Sequence, residues 1–198
     1  MSVTVILYHR TMTRWQPDAR GRLQVAAMEL YVERGFEQTT VAEIAERAGL
    51  TERTFFRHYA DKREVLFQGQ DEFRESFVTT VAEAPADRAP LDAVAAALYY
   101  VATNFEPRRS WSQTRQTVIN QNPGLQEREL IKLAGVSTAI AAALRDRGVD
   151  EPAASLTAES GISVFHVAFR RWIEADNTRA FAEIITESLA ALRAVTSG

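Results

Sequence analysis

The sequence predicts an all-α protein, and three observations predict it. Apolar residues recur at helical spacing along most of the chain. Glycine, proline and capping residues punctuate those stretches where helices need starts and stops. No convincing strand alternation follows the first ten residues. The expected architecture is about nine helices, three short ones and then a larger helical unit of about six.

Each element has its own signal. Asp18 is placed to cap a first helix on which Leu23, Ala27, Leu30 and Tyr31 recur, and Gly35 ends it. In "TVAEIAERAG" Thr40 and Glu43 have the spacing of a capping box, Val41, Ile44, Ala45 and Ala48 share a face, and Gly49 supplies the stop. Thr51 caps the next helix. Asp61 and Glu64 are spaced as a further capping box, which predicts a helix through about Thr80. "EAPADRAP" (83–90) reads as a loop. Helices follow at about 91–105, 111–121 and 125–147, with Pro107 and Pro123-Gly124 between them. "GVDEP" then breaks the chain before two closing helices, at about 152–174 and 178–195. The expected divisions are a flexible arm over 1–17, a first unit over 18–66 and a second over 67–198.

Composition narrows the function classes. The chain has 198 residues, of which 46% are hydrophobic and 25% charged, as globular domains have. With no cysteine, disulfides and thiolate metal sites are excluded, and a reducing cytoplasm is the natural setting. No apolar run approaches bilayer length, so no membrane partner is expected. "VTVILYH" is too short for a signal peptide, and Met12 leaves a later translation start open. His9, His58 and His166 lie far apart in the sequence and no hydrolase, zinc or phosphate-loop motif is present. Hence neither an enzyme nor a cofactor or metal site is expected. Net charge is −3 overall. Residues 1–70 nevertheless hold ten Lys and Arg against nine Asp and Glu, so a basic helix there has to be explained locally.

That helix is "TERTFFRHYADK", residues 51–62. At about 100° per residue, Phe55 and Tyr59 fall together and face inward. Arg53 and Arg57 then lie opposite, flanked by Phe56 and Thr54, with Thr51 and His58 at the edges. One face anchors the helix while the other offers two guanidiniums, hydroxyls and an aromatic ring. Two helices joined by a tight glycine turn, the second bearing such a face, make a helix-turn-helix. A helix fits the major groove, where arginine bonds guanine O6 and N7 bidentately and Thr methyls or Phe56 touch thymine methyls. Thr40, at a helix N-terminus, and Lys62 are placed for phosphates. A solvated arginine face is the competing reading. The glycine stop and the buried aromatics favour DNA.

Residues 22–66, "RLQVAAMELYVERGFEQTTVAEIAERAGLTERTFFRHYADKREVL", resemble the N-terminal DNA-binding domain of TetR-family transcriptional regulators. The resemblance implies that Thr51, Arg53, Thr54, Phe56, Arg57 and His58 occupy recognition-helix positions, and Thr40 and Lys62 phosphate-contact positions. Two departures stand out: Glu52, where the family often has lysine or a small polar residue, and Phe56, where tyrosine is common. The first unit is thus expected to be a three-helix helix-turn-helix domain.

The second unit is larger than DNA reading requires. Phe73, Phe77, Tyr99, Tyr100, Phe105 and Trp111 cluster around the polar segment "SWSQTRQTVINQNPGL". Ligand pockets are mostly apolar with a few placed polar groups. The expected lining is Phe73, Phe77, Tyr100, Phe105 and Trp111, with Arg115, Gln116 and Asn120 as polar groups. His166 is expected to be a core or interface residue. The closing helices carry apolar faces wide enough for a core and something more, and the family pairs them in an intersubunit four-helix bundle. Phe165, Phe169, Trp172, Phe181, Ile185, Leu189 and Leu192 are the expected dimer residues. Residues 109–176 also resemble the C-terminal domain of regulators that bind acyl-coenzyme-A-like ligands, on "RQTVINQNPGLQERELIKLAGV" and "GISVFHVAFRRWIEAD". That implies an amphipathic effector, with Arg108, Arg109 or Arg115 near an anionic head. The resemblance therefore implies a homodimeric repressor on a pseudo-palindromic duplex operator, released by a small hydrophobic or amphipathic effector. The rival readings are a regulator without effector and a helical interaction protein that does not bind DNA.

Overall fold

The structure is a computed structural model that describes residues 18–196. The arm over 1–17, with Arg10, Met12 and Arg14, lies outside the described residues. Among the described residues there are nine α-helices and no strand. They are α1 (Ala19–Arg34), α2 (Val41–Arg47), α3 (Glu52–His58), α4 (Gln70–Ala82), α5 (Pro90–Phe105), α6 (Arg109–Asn120), α7 (Pro123–Asp146), α8 (Ala153–Trp172) and α9 (Phe181–Thr196). Short 3-10 turns at Glu64–Phe67 and Glu106–Arg108 interrupt the series.

Local chemistry sets the first three helices. The Asp18 carboxylate accepts from the Gly21 amide at 2.7 Å and starts α1. Thr40 and Glu43 form the expected capping box at α2, and the Thr51 hydroxyl accepts from the Thr54 amide at α3. Gly49, at φ +65°, makes the tight turn between α2 and α3 in a conformation that L side chains rarely adopt. Leu23, Leu30, Tyr31, Ile44, Phe55 and Tyr59 then close a core in which Phe55 is fully buried.

This head is not closed by its own residues. Val118 and Ile119 of α6 and Leu125 of α7 are buried in the same cluster, as are Val65, Leu66 and Phe67 of the 3-10 turn. The rest of the molecule packs α4, α5, α7, α8 and α9 around a second core that includes Phe77, Leu98, Ile140, Leu144, Trp172 and Phe181. Helices α5 and α8 approach closely at Gly161, where any Cβ would collide with the Val94 side chain.

One expected helix is broken. Asp61 and Glu64 do not open a helix running to Thr80. The Asp61 carboxylate accepts from the amides of Arg63 and Glu64 and turns the chain into a single 3-10 turn. Gly69 then adopts φ +85°, and α4 begins only at Gln70. The Glu64 carboxylate, which a capping box would point back along its own chain, reaches α7 instead. It accepts from Arg128 Nε at 2.6 Å and Lys132 Nζ at 3.4 Å.

Candidate nucleic-acid interface and ligand cavity

The outer face of α3 is what the spacing predicts. Phe55 and Tyr59 point inward, while Thr51, Arg53, Phe56 and Arg57 are exposed and Thr54 and His58 are half-buried. Phe56 is 56% exposed, unusual for so large an apolar ring. Three other arginines of the head find carboxylates: Arg34 with Glu43, Arg47 with Glu29 and Glu33, Arg63 with Asp61. Arg53 and Arg57 form no ion pair among the described residues. Arg57 reaches only His58 Nε2, at 3.5 Å. Two unpaired guanidiniums around an exposed ring suit a duplex groove.

The two expected phosphate contacts are placed differently. All three strong donors of the Lys62 ammonium go to the carbonyls of Phe36, Glu37 and Thr39, at 2.8, 3.2 and 2.9 Å, and it lies 4.5 Å from the Phe36 ring centre. It therefore clips the α1–α2 loop rather than standing free for a phosphate. The Thr40 hydroxyl donates to Glu43 Oε2 at 2.8 Å and accepts from the Glu43 amide at 3.2 Å. Bonds from the Thr40 backbone amide and hydroxyl hold the Glu43 carboxyl below its ordinary range, so an anion sits beside the hydroxyl.

Behind the head, α4, α6, α7 and α8 line a partly open cavity of about 770 Å³, within the range of small-molecule sites. Of the expected lining, Phe73, Phe105, Trp111, Arg115, Gln116 and Asn120 are there. Phe77 is buried in the body core behind Phe73, and Tyr100 faces a separate open groove between α4 and α5. The remaining wall includes Phe165 and Phe169, stacked with centroids 5.6 Å apart, Leu133 and Ile173. His166 also lines the cavity, on an exposed stretch of α8.

The polar end of the cavity is joined to the head. Arg115 Nε donates to the Leu66 carbonyl at 2.7 Å, its Nη1 meets Glu129 at 2.8 Å, and the guanidinium lies over the Phe67 ring. Burial pulls the Arg115 guanidinium below its ordinary range, and Glu129 opposes that shift. Gln68, also in the wall, accepts from the Tyr59 hydroxyl at the end of α3. A few residues of chain thus separate the cavity from the recognition helix. Arg109 is engaged elsewhere and caps α8 through the carbonyls of Trp172, Glu174 and Asn177. Arg108 and Arg170 line the cavity and form no ion pair among the described residues.

The residues expected at the dimer contact lie inside the protomer. Trp172, Phe181, Ile185 and Leu189 are buried, Phe165 and Phe169 wall the cavity, and Leu192 packs at the edge of the body core. The largest side chains of an amphipathic helix fill its own core first, and sequence periodicity does not separate the two faces. The surfaces left open are Leu156 and Val167 on α8, 63% and 53% exposed, and Ala190, Ala194 and Val195 on α9.

A glycine-turned helix pair with an unpaired basic outer face, set on a cavity-bearing helical body, defines a helix-turn-helix transcriptional regulator. Residues 23–68 match the family model for bacterial regulatory proteins of the tetR family, and residues 88–197, more than half of the chain, match the MftR C-terminal domain. The chain belongs to the TetR family: it is a DNA-binding transcriptional regulator and not an enzyme. Among curated relatives it is similar to the HTH-type transcriptional regulator TcmR of Streptomyces glaucescens. The identity is 40% over 78 residues, which are 39% of this chain and 34% of that protein. It is also similar to the HTH-type transcriptional activator FasR of Mycolicibacterium smegmatis, 31% identical over 67 residues, 34% of this chain and 31% of that protein. The matches thus span about a third of each curated relative. Among solved structures, FadR of Bacillus subtilis in complex with stearoyl-CoA superposes with a TM-score of 0.60 at 18% identity, over 87% of this chain and 96% of that one, a likeness of fold.

Proposed function

We propose that this regulator is a homodimeric repressor whose two α3 helices hold a pseudo-palindromic operator, and that an amphipathic effector in the cavity releases it. One observation carries the reading: the chain leaving the recognition helix, from Leu66 to Gln70, is itself a wall of the cavity. Filling the cavity bears on Leu66 and Gln68, the groups held by Arg115 and Tyr59, and so on the position of α3. The coupling is reciprocal: the factor by which effector weakens operator binding is the factor by which operator weakens effector.

The chemistry of the wall indicates the effector. Phe73, Phe105, Phe165 and Phe169 suit an apolar chain, worth about 0.8 kcal/mol per buried CH₂. Arg108 and Arg170, both without carboxylate partners, suit an anionic head, and the acyl-CoA seen in the B. subtilis neighbour has both parts. The open stripes of α8 and α9 serve the homodimer, which sets the spacing of the two heads. Arg53, Phe56 and Arg57 read bases, with Thr51, Thr54 and His58 alongside. The setting is the cytoplasm, where the operator lies; no described helix is long and apolar enough to cross a membrane. The experiment is a gel shift on an operator selected from random duplexes, titrated with acyl-CoAs of graded chain length. Release that strengthens with chain length supports the reading, and no release at any length rejects it. Transcription in vitro from the selected site gives the sign of regulation.

A further inference from the structure

Gln70 is the first residue of α4, directly after the left-handed Gly69, and it lines the cavity. Its amide nitrogen Nε2 is shut off from solvent and donates to none of the described residues. Buried amide donors are nearly always satisfied, so this one calls for an acceptor. None of the described wall residues supplies one, and several wall oxygens already accept from other donors. Glu129 Oε1 accepts from Arg115 at 2.8 Å and Oε2 from Gln116 at 3.0 Å. Asn120 Oδ1 accepts from Gln116 at 3.0 Å, and Gln68 Oε1 accepts from the Tyr59 hydroxyl.

The charges at this end also cancel. Arg115 is matched by Glu129, and the donor that Gln70 offers is itself neutral. A neutral acceptor meets this donor without the desolvation cost that a buried charge carries. We propose that Gln70 is a specificity-determining residue that donates its amide hydrogen to an uncharged carbonyl oxygen carried by the effector, as in a thioester, ester or ketone. The inference rests on the cavity being the effector site and adds what kind of group that effector bears. It also gives the bond a lever, since Gln70 is two residues from Gln68, which grips Tyr59 at the end of α3.

Lauroyl-CoA and S-dodecyl-CoA, a thioether of the same chain length, differ only in the carbonyl oxygen. Both are titrated calorimetrically into the full chain as wild type, Gln70→Met and Gln70→Leu, with operator release followed in parallel. Wild type is expected to prefer the thioester by about three- to tenfold, the worth of one neutral hydrogen bond. Both variants are expected to lose the preference between the two ligands. Wild type binding both ligands equally overturns the role of Gln70 and leaves the cavity reading standing, as does a preference that survives in both variants. Variants that weaken for both ligands alike also overturn it. Binding of neither ligand to wild type removes the cavity reading and this inference together.

Discussion

Arg53 and Lys62 show how differently two cations nine positions apart on one chain are used. Arg53 has no carboxylate partner on an exposed face, so Arg53→Ala is expected to leave the melting temperature unchanged. It is expected to cost operator binding about 1–3 kcal/mol and to relax the preference at one base, read by competition gel shift. Lys62 is tied to three carbonyls, and Lys62→Met is expected to cost folding roughly 1–3 kcal/mol through the orphaned loop. Calorimetric melting checks this. A variant that melts like wild type but loses affinity for all sequences alike would return Lys62 to a phosphate. Sequence spacing separated Phe55 and Tyr59 from Arg53 and Arg57 because those residues lie within two turns of one helix. The partners of Lys62, more than twenty positions away across a loop, leave no periodic trace.

Elements follow the same division between local and distant causes. Helices α1 and α2 were legible to within a residue or two, and α3 at its start, because caps and glycines are neighbours of the turns they set. Helix α3 has no such stop and ends at His58, short of the expected residue 62. The helix expected from Lys62 onward was not, since Glu64 answers to Arg128 and Lys132 on α7 rather than to its own turn. Six of the eight residues expected to line a pocket stand in the cavity wall, three of them clustered aromatics and three from the polar segment of α6. Phe165 and Phe169 were assigned to a dimer because their helix is apolar on two sides, and only packing tells which side faces in. The open stripe of α8 carries the corrected expectation. Val167→Asp, on the exposed side, is expected to leave the fold intact and shift the chain toward monomer with loss of operator affinity. Light scattering and a gel shift on one preparation check this. A variant that stays dimeric places the contact elsewhere.

The molecule as a whole is bound together where the sequence suggests a seam. A division at 66/67 separates two stretches of chain, yet Val118, Ile119 and Leu125 from beyond it are needed to close the core around Leu23 and Tyr31. Arg115 and Glu64 add polar ties across the same seam. A single cooperative melt is therefore expected by calorimetry and by a fluorescence probe in either part, and two separated transitions would contradict it. There is a practical corollary for anyone exchanging modules between such proteins. A fragment cut after Gly69 is expected to show collapsed helix without a sharp transition, and a chimera that grafts this reader onto a foreign body should work only if the inward side of α6 travels with it.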